Sequence, residues 1–167
     1  MLVANDTIYM SEGRQMAFDD LLFEICDELQ LSPTRHKLAE QRYRTIGEML
    51  ASPGSPFAED DPDIYPQGSM RLGTTVKPID GPFDLDFVLE LSKPFHFVDP
   101  MDLLDQLFNF FKSSDRYRDM TEKKNRCIRI TYADDFYMDI LPACGDLAAC
   151  ATCIQVPDVS AEDWKGS

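Results

Sequence analysis

Apolar and polar residues alternate along the chain in patterns that predict three helices. From Met16 onward, apolar residues recur every three or four positions with acidic residues between them, which predicts an amphipathic helix. Ser32-Pro33 and Asp99-Pro100 each place a capping side chain before a proline, so each predicts the start of a further helix. Residues 52–63 are rich in proline, glycine and serine and are expected to form a loop.

Apolar runs in the middle of the chain predict strands at 64–67, 83–91, 127–132 and 136–141. The run at 83–91 is almost continuously apolar, which is typical of a strand that is covered on both faces. Residues 133–135 separate the last two runs and are expected to form a hairpin turn, so Asp134 and Asp135 are interpreted as turn residues.

Length and charge narrow the classes of function. A chain of 167 residues is expected to form one domain with a sizeable core. The net charge of -14 argues against a protein that wraps a long nucleic acid, because such proteins need lysine and arginine against the phosphates. Nucleotides remain possible ligands, since metal ions can bring positive charge into the site. No apolar run approaches the roughly 20 residues of a transmembrane helix, which predicts a soluble, cytoplasmic protein without a membrane partner.

The cysteines leave one question open. Five cysteines without a secretory context favour reduced thiols. Cys144, Cys150 and Cys153 could contribute to a zinc site, but no fourth ligand is near them, since the only histidines are His36 and His96. Buried free thiols are the preferred interpretation.

Two aspartates interrupt the apolar run at 83–91. Asp84 and Asp86 are two residues apart, so their carboxylates point to the same face of a strand, while Leu85 and Phe87 face the other way. Neighbouring negative charges on a strand are costly unless a cation neutralises them. A hard divalent ion such as Mg²⁺ suits this position because it prefers carboxylate and phosphate oxygens.

Two more features complete the candidate site. Gly68 and Ser69 open a turn of small residues, whose backbone N–H groups and hydroxyl can face a phosphate. Asp139 is a single acid in the apolar run at 136–141, and it would join Asp84 and Asp86 if its strand pairs with theirs. Three carboxylates around two cations form the kind of two-metal site that performs in-line phosphoryl transfer.

The ordered set of Gly68-Ser69, Asp84-x-Asp86 and Asp139 resembles the signature of the polymerase-β-like nucleotidyltransferases. Two longer segments are similar to those of the bacterial cGAS/DncV-like nucleotidyltransferases (CD-NTases): Gln67-Gly-Ser-Met-Arg-Leu-Gly-Thr-Thr-Val-Lys77 and Phe83-Asp-Leu-Asp-Phe-Val-Leu-Glu-Leu91. The resemblance covers roughly residues 15 to 145. It implies an α+β fold with a polymerase-β-like core, in which a small mixed sheet is flanked by helices.

The same resemblance implies a division of the chain and a role for each site residue. A loose segment at 1–15 would precede a catalytic lobe at 16–145, and residues 146–167 would begin a C-terminal region. Asp84, Asp86 and Asp139 would be catalytic and would bind two Mg²⁺ ions, for which Mn²⁺ could substitute. The residues expected to contact the nucleotide phosphates are Gly68, Ser69, Arg71 and Lys77.

By resemblance, the substrates are nucleoside triphosphates, with ATP expected first, and the product is a cyclic di- or oligonucleotide second messenger in bacterial anti-phage defence. The sequence identifies no regulatory protein partner. Members of the resembled family carry a helical second lobe after these motifs, whereas the periodicity of this chain thins after Pro142. We therefore expect the amino-terminal lobe of a longer protein, which is a poor catalyst by itself because the acceptor is not held in line.

Two other functions stay open at this point. A minimal nucleotidyltransferase that modifies a protein or an RNA end shares the Gly-Ser and Asp motifs, although the predicted helices at 16–50 favour the second-messenger group. A catalytically silent lobe that binds a nucleotide or a partner is the other alternative.

Overall fold

The computed structural model describes residues 12–76, 78, 81–133, 136–145 and 153–166, with the backbone alone for residues 12–17. The chain divides into two compact units, residues 1–30 and residues 31–167. In the first unit the described element is helix α1, Glu12–Leu29, which begins four residues before the start that the sequence predicts. Its apolar side chains from Phe18 to Leu29 are between 40% and 76% exposed. None of the helices in the described residues combines the length and apolar composition that a membrane crossing needs.

The second unit contains three helices and seven strands among its described residues. In chain order these are α2 (Pro33–Leu50), β1 (Asp63–Pro66), α3 (Gly68–Leu72), β2 (Phe83–Pro94), α4 (Pro100–Ser113), β3 (Thr121–Lys123), β4 (Ile128–Tyr132), β5 (Phe136–Gly145), β6 (Ile154–Asp158) and β7 (Asp163–Gly166). The strands form one sheet in the order β1-β2-β5-β4-β3, and β6 joins β5 and carries β7. Strands β2 and β5 are parallel and the other pairs are antiparallel, so the predicted α+β fold with a mixed sheet is confirmed.

The two predicted helix starts are present. The Ser32 hydroxyl accepts a hydrogen bond from the backbone N–H of Arg35, and Pro33 occupies the first turn of α2. The Asp99 carboxylate accepts hydrogen bonds from two backbone N–H groups in the first turn of α4. Each cap satisfies donors that have no partner within the helix, which fixes where these helices begin.

One face of the sheet carries the main apolar core, and the opposite face carries a smaller apolar cluster of Val88, Ala143, Ile154 and Val156. In β2 the odd-numbered residues from Phe83 to Leu91 are buried, and they share one core cluster with α2, α4 and the even-numbered residues of β5. The ring of Phe87 lies 4.9 Å from that of Tyr43 on α2. Because side chains alternate along a strand, the even-numbered residues of β2 lie on the opposite face. That face carries the aspartates.

Three details differ from the sequence-based expectations. The turn predicted at Gly68-Ser69 is the first part of the short helix α3. Strands β3, β6 and β7 were not predicted, since each is only three to five residues long and β6 contains Pro157. Cys153 is disulfide-bonded, so the expectation of reduced thiols is wrong for this residue, and a disulfide sulfur does not serve as a thiolate ligand for zinc. Cys26, Cys127 and Cys144 are free thiols, and burial raises the pKa of the Cys144 thiol to about 11.

A buried carboxylate at the end of β6 joins this strand to the loop before β4. Asp158 is 2% exposed and accepts hydrogen bonds from Ser160, the Asn125 amide and the Arg126 guanidinium. These bonds, that of Ser160 foremost, lower the pKa of Asp158 well below its ordinary value although burial acts in the opposite direction. The ionised form of Asp158 therefore stabilises the folded state.

We expect Asp158→Asn to lower the unfolding midpoint by several degrees at neutral pH, because Arg126 and Ser160 lose an ionised acceptor. Since the pKa of Asp158 is lower in the folded state than in the unfolded one, this stabilisation is complete above the ordinary aspartate pKa and is lost as the pH falls through and below it. Urea unfolding of both proteins between about pH 7 and about pH 3 measures how the difference in their free energy of unfolding changes with pH. A stability difference that stays constant over this range would contradict the assignment.

Candidate functional site

The pairing of β2 with β5 brings three aspartates onto one face of the sheet. Asp86 lies directly opposite Asp139 in the parallel register, and Asp84, two residues earlier on β2, lies opposite Tyr137. The expectation that Asp139 joins Asp84 and Asp86 depends on the pairing of their strands, and these strands do pair. The three carboxylates, which we call the acidic triad, form the centre of the candidate site.

Within the described part of the chain, the acidic triad holds more negative charge than the groups around it neutralise. The side chain of Asp84 is 61% exposed, that of Asp139 is only 13% exposed, and Asp86 is half-buried. Burial, and then the negative charges of Asp139 and Asp84, raise the pKa of Asp86 above its ordinary value, and Arg129 only partly offsets this. A cation that approaches these oxygens would therefore be attracted to the site.

Arg129 on β4 is a member of the site that the sequence analysis missed. It lies opposite Asp139 in the antiparallel register, and its Nε and Nη2 donate hydrogen bonds of 2.7 Å to the two carboxylate oxygens of Asp139. Its Nη2 is also 3.2 Å from an Asp84 oxygen. The hydrogen bonding to Asp139 raises the pKa of Arg129, so the guanidinium is a fixed positive charge. A signal was present, since Arg129 occupies a polar position between the apolar residues Ile128 and Ile130.

Cys127 borders the triad but is not a nucleophile. The residue is buried, and burial together with the neighbouring Asp139 raises the pKa of its thiol to about 12. A thiol with such a pKa is protonated at neutral pH and lacks the thiolate that nucleophilic attack requires. Cys127 therefore contributes packing beside Asp139 and takes no part in the chemistry of the site.

The Gly68-Ser69 segment lies against Asp86. The backbone N–H of Gln67 donates a 2.8 Å hydrogen bond to the backbone carbonyl of Asp86, which fixes the start of α3 beside the triad. Gly68 has a φ of +57°, and a Cβ added to it would lie 3.3 Å from Oδ2 of Asp86. The Ser69 hydroxyl accepts a 3.3 Å hydrogen bond from Thr75. The absence of a side chain at Gly68 thus leaves space in front of the Asp86 carboxylate.

The structure describes one of the two basic residues that are predicted to contact phosphate, Arg71 and Lys77. Arg71 lies in the last turn of α3 and is exposed, on the same short helix as Gly68 and Ser69. Lys77 lies outside the described residues, so its predicted contact with phosphate stays a prediction.

The donor set of the site fits a divalent cation, although the carboxylates are not yet arranged around one. Among the residues that the structure describes, the three carboxylates face the single guanidinium of Arg129, which leaves a surplus of negative charge and oxygen ligands of the kind that Mg²⁺ prefers. Within the ranges that the structure describes, no three acidic, histidine or cysteine side chains are gathered as a metal-binding group. At the triad, both oxygens of Asp139 accept hydrogen bonds from the Arg129 guanidinium.

Gly68→Ala is expected to weaken the binding of a nucleoside triphosphate by about tenfold or more, because a methyl group would crowd Asp86 at a backbone position that already disfavours side chains. Gly73→Ala is the matched control, since Gly73 has a similar φ of +67° but no atom within 4 Å of an added Cβ. Both variants should lose about 1 kcal/mol of stability. Calorimetric titration with a non-hydrolysable triphosphate distinguishes the two variants by their affinity for the nucleotide. Equal affinity of the two variants would exclude a role for the space beside Asp86.

Comparisons with known proteins point to one family. Residues 16–167 match the family described as the Second Messenger Oligonucleotide or Dinucleotide Synthetase (SMODS) domain. The chain is 30% identical over 159 residues to a c-di-GMP synthase from Roseivirga ehrenbergii, and 34% identical over 127 residues to the cyclic dinucleotide synthase CdnG from Bradyrhizobium diazoefficiens. These alignments cover 95% and 75% of the chain, but the chain spans only 42% and 30% of the length of these two curated relatives.

A solved structure gives the same result. The Bradyrhizobium diazoefficiens CD-NTase CdnG, determined in complex with GTP, superposes on this chain with a TM-score of 0.74 at 29% sequence identity. The superposition covers 89% of the chain and 42% of that structure. The sequence similarity therefore extends over most of the chain, and the structural similarity includes the fold that carries the acidic triad.

Proposed function

Since the chain belongs to the family of Second Messenger Oligonucleotide or Dinucleotide Synthetase domains, we propose that its acidic triad catalyses nucleotidyl transfer between nucleoside triphosphates to form a cyclic di- or oligonucleotide. The observation that carries this proposal is the register of β2 and β5, which sets Asp86 opposite Asp139 with Asp84 on the same face. Three carboxylates on one face of the sheet, beside a glycine that leaves space for a ligand, supply the oxygen ligands that a two-metal phosphoryl-transfer site uses.

In the proposed reaction, a hydroxyl oxygen of one nucleotide forms a bond to the α-phosphorus of another. The bond from that phosphorus to the oxygen bridging to the β-phosphate breaks, and pyrophosphate leaves with the electron pair. Two Mg²⁺ ions, or Mn²⁺ in their place, would stabilise the charge on the attacking and leaving oxygens. Asp84, Asp86 and Asp139 would hold these ions.

The remaining site residues bind and orient the triphosphate. Gly68 and Ser69, at the start of α3, would face the β- and γ-phosphates, and Arg71 would assist from the exposed side of the same helix. Arg129 donates a hydrogen bond to each oxygen of Asp139 in the structure and so stabilises the ionised carboxylate, which makes Asp139 a better proton acceptor once Arg129 moves away. Substrate binding and release of Asp139 are thus expected to occur together.

For the substrate, we propose a guanine nucleotide as the first to test. One relative is named a c-di-GMP synthase, and the CdnG structure contains GTP, whereas the family resemblance implies ATP without a base-specific reason. A cytoplasmic location and a role in anti-phage defence remain part of the proposal. The first rests on the sequence pattern and the second on the family resemblance.

The test is incubation of the purified protein with labelled GTP, ATP, CTP and UTP in Mg²⁺ or Mn²⁺, followed by separation of the products. We expect a cyclic or linear oligonucleotide product that requires the divalent ion and is absent with an Asp84→Ala, Asp86→Ala double variant. Asp115→Asn is the matched control, because Asp115 is an acid that is 98% exposed and pairs with Arg118. Product formed equally by the double variant would refute the proposed site.

A further inference from the structure

Arg129 places a positive charge beside the acidic triad. It approaches the acidic triad from β4 and contacts two of the three carboxylates, with both oxygens of Asp139 engaged and one Asp84 oxygen at 3.2 Å. The side chain of Arg129 is 24% exposed, so its charge is largely shielded from solvent. The central carbon of its guanidinium also lies 4.6 Å from the centre of the Tyr137 ring, in a cation–π contact.

We propose that Arg129 is a built-in counter-cation that competes with the divalent ions for Asp84 and Asp139 and yields to them when a nucleoside triphosphate binds. This inference rests on the proposed function. It assigns to Arg129 the role of a positioning residue, which couples metal binding to nucleotide binding.

The competition is electrostatic. Each Asp139 oxygen keeps a lone pair beside the guanidinium, but a divalent ion bound there would lie close to the positive charge of Arg129 and be repelled by it. Metal binding is therefore favoured when Arg129 gives up at least part of its contact. The contact with Asp84 is longer than those with Asp139, and Asp84 is far more exposed, so Asp84 is the carboxylate that is released first.

A nucleoside triphosphate changes this balance in two ways. Its phosphates supply oxygens that complete the coordination of the metal ions. They also offer the guanidinium a new anionic partner, since arginine binds phosphate with the same fork that binds carboxylate. Tyr137 keeps the guanidinium near the site through a cation–π contact while it changes partner. Metal ions alone should therefore bind weakly, and metal with nucleotide should bind well.

A purely structural role for Arg129 is the competing explanation. In that case the ion pair with Asp139 only joins β4 to β5, and its removal should destabilise the protein without strengthening metal binding. The two explanations differ in the sign of one measurable quantity, the affinity for a divalent ion in the absence of nucleotide.

The experiment is a titration of the purified protein with Mn²⁺, followed by the paramagnetic resonance signal of free Mn²⁺, with and without a non-hydrolysable triphosphate. Without nucleotide, we expect Arg129→Gln to bind Mn²⁺ about threefold to tenfold more tightly than the wild type, because one competing positive charge is gone. With nucleotide, the difference should largely disappear. In chelator the variant should unfold at a lower temperature than the wild type, and Mn²⁺ should recover more of its stability.

Two further variants make the result interpretable. Arg129→Lys keeps the charge but loses the fork, so its affinity should lie between those of the wild type and Arg129→Gln, and it serves as the test if the glutamine variant does not fold. Arg44→Gln removes one positive charge from the exposed pair with Glu40 and should leave Mn²⁺ binding unchanged. Equal or weaker Mn²⁺ binding by the Arg129 variants would overturn the inference alone. Absence of Mn²⁺ binding by every protein, with or without nucleotide, would overturn the proposed function as well.

Discussion

Replacement of Asp86 by asparagine is expected to reduce nucleotidyl transfer by about a hundredfold to ten-thousandfold and to leave the protein at least as stable as the wild type. Activity should fall because the neutral amide is a poor ligand for a divalent ion at the centre of the triad. Stability should not fall, because Asp86 is a half-buried carboxylate whose pKa is raised by burial and by the charges of Asp139 and Asp84. Asparagine has nearly the same shape and removes that repulsion.

The measurement is paired, with product formation in Mg²⁺ and thermal unfolding in chelator on the same preparations. Asp115→Asn again provides the control, and it should change neither quantity. A variant that loses activity and also unfolds at a clearly lower temperature would show that Asp86 supports the fold, and the catalytic assignment would then lose its main evidence.

Phe87→Ala, one residue further along β2, is expected to destabilise the protein by about 3–5 kcal/mol. The side chain of Phe87 is fully buried on the opposite face of the strand from Asp86, and its ring packs 4.9 Å from that of Tyr43. Truncation to alanine removes a large buried apolar surface and leaves a cavity between the sheet and α2.

Urea unfolding followed by circular dichroism measures this loss. Phe97→Ala is the matched control, because Phe97 is 79% exposed and its truncation should change stability by no more than about 0.5 kcal/mol. A loss of less than about 1 kcal/mol for Phe87→Ala would mean that the core can close around the missing ring. Adjacent residues of one strand would thus have their largest effects on different properties, Asp86 on activity and Phe87 on stability.

Much of the site could be predicted because it depends on short sequence intervals. The interval of two residues between Asp84 and Asp86 places both on one face of any strand, whatever the rest of the fold. The pairing of Asp139 with Asp86 is different, since it depends on which strands become neighbours, and the prediction relied on the family resemblance for it. The structure gives that neighbour relation directly through the β2–β5 register.

Other features depend on contacts that no local pattern encodes. Arg129 became part of the site only because β4 pairs with β5 on the side away from β2. Strands β6 and β7 are held by sheet pairing and by the Asp158 hydrogen bonds, while their own sequences are too short to show a period. The helix at Gly68–Leu72 is a single turn or slightly more, which small-residue composition cannot distinguish from a turn.

The parallel pairing of β2 and β5 also determines when the acidic triad comes into being. Asp86 and Asp139 are roughly 50 residues apart in the chain, and the connection between their strands contains α4, β3 and β4. Contacts between distant segments form slowly because a long loop must close before any pairing is gained. During synthesis, Asp84 and Asp86 leave the ribosome well before Asp139 and Arg129. The ability to hold a divalent ion is therefore expected to arise late in folding, when the central strands dock.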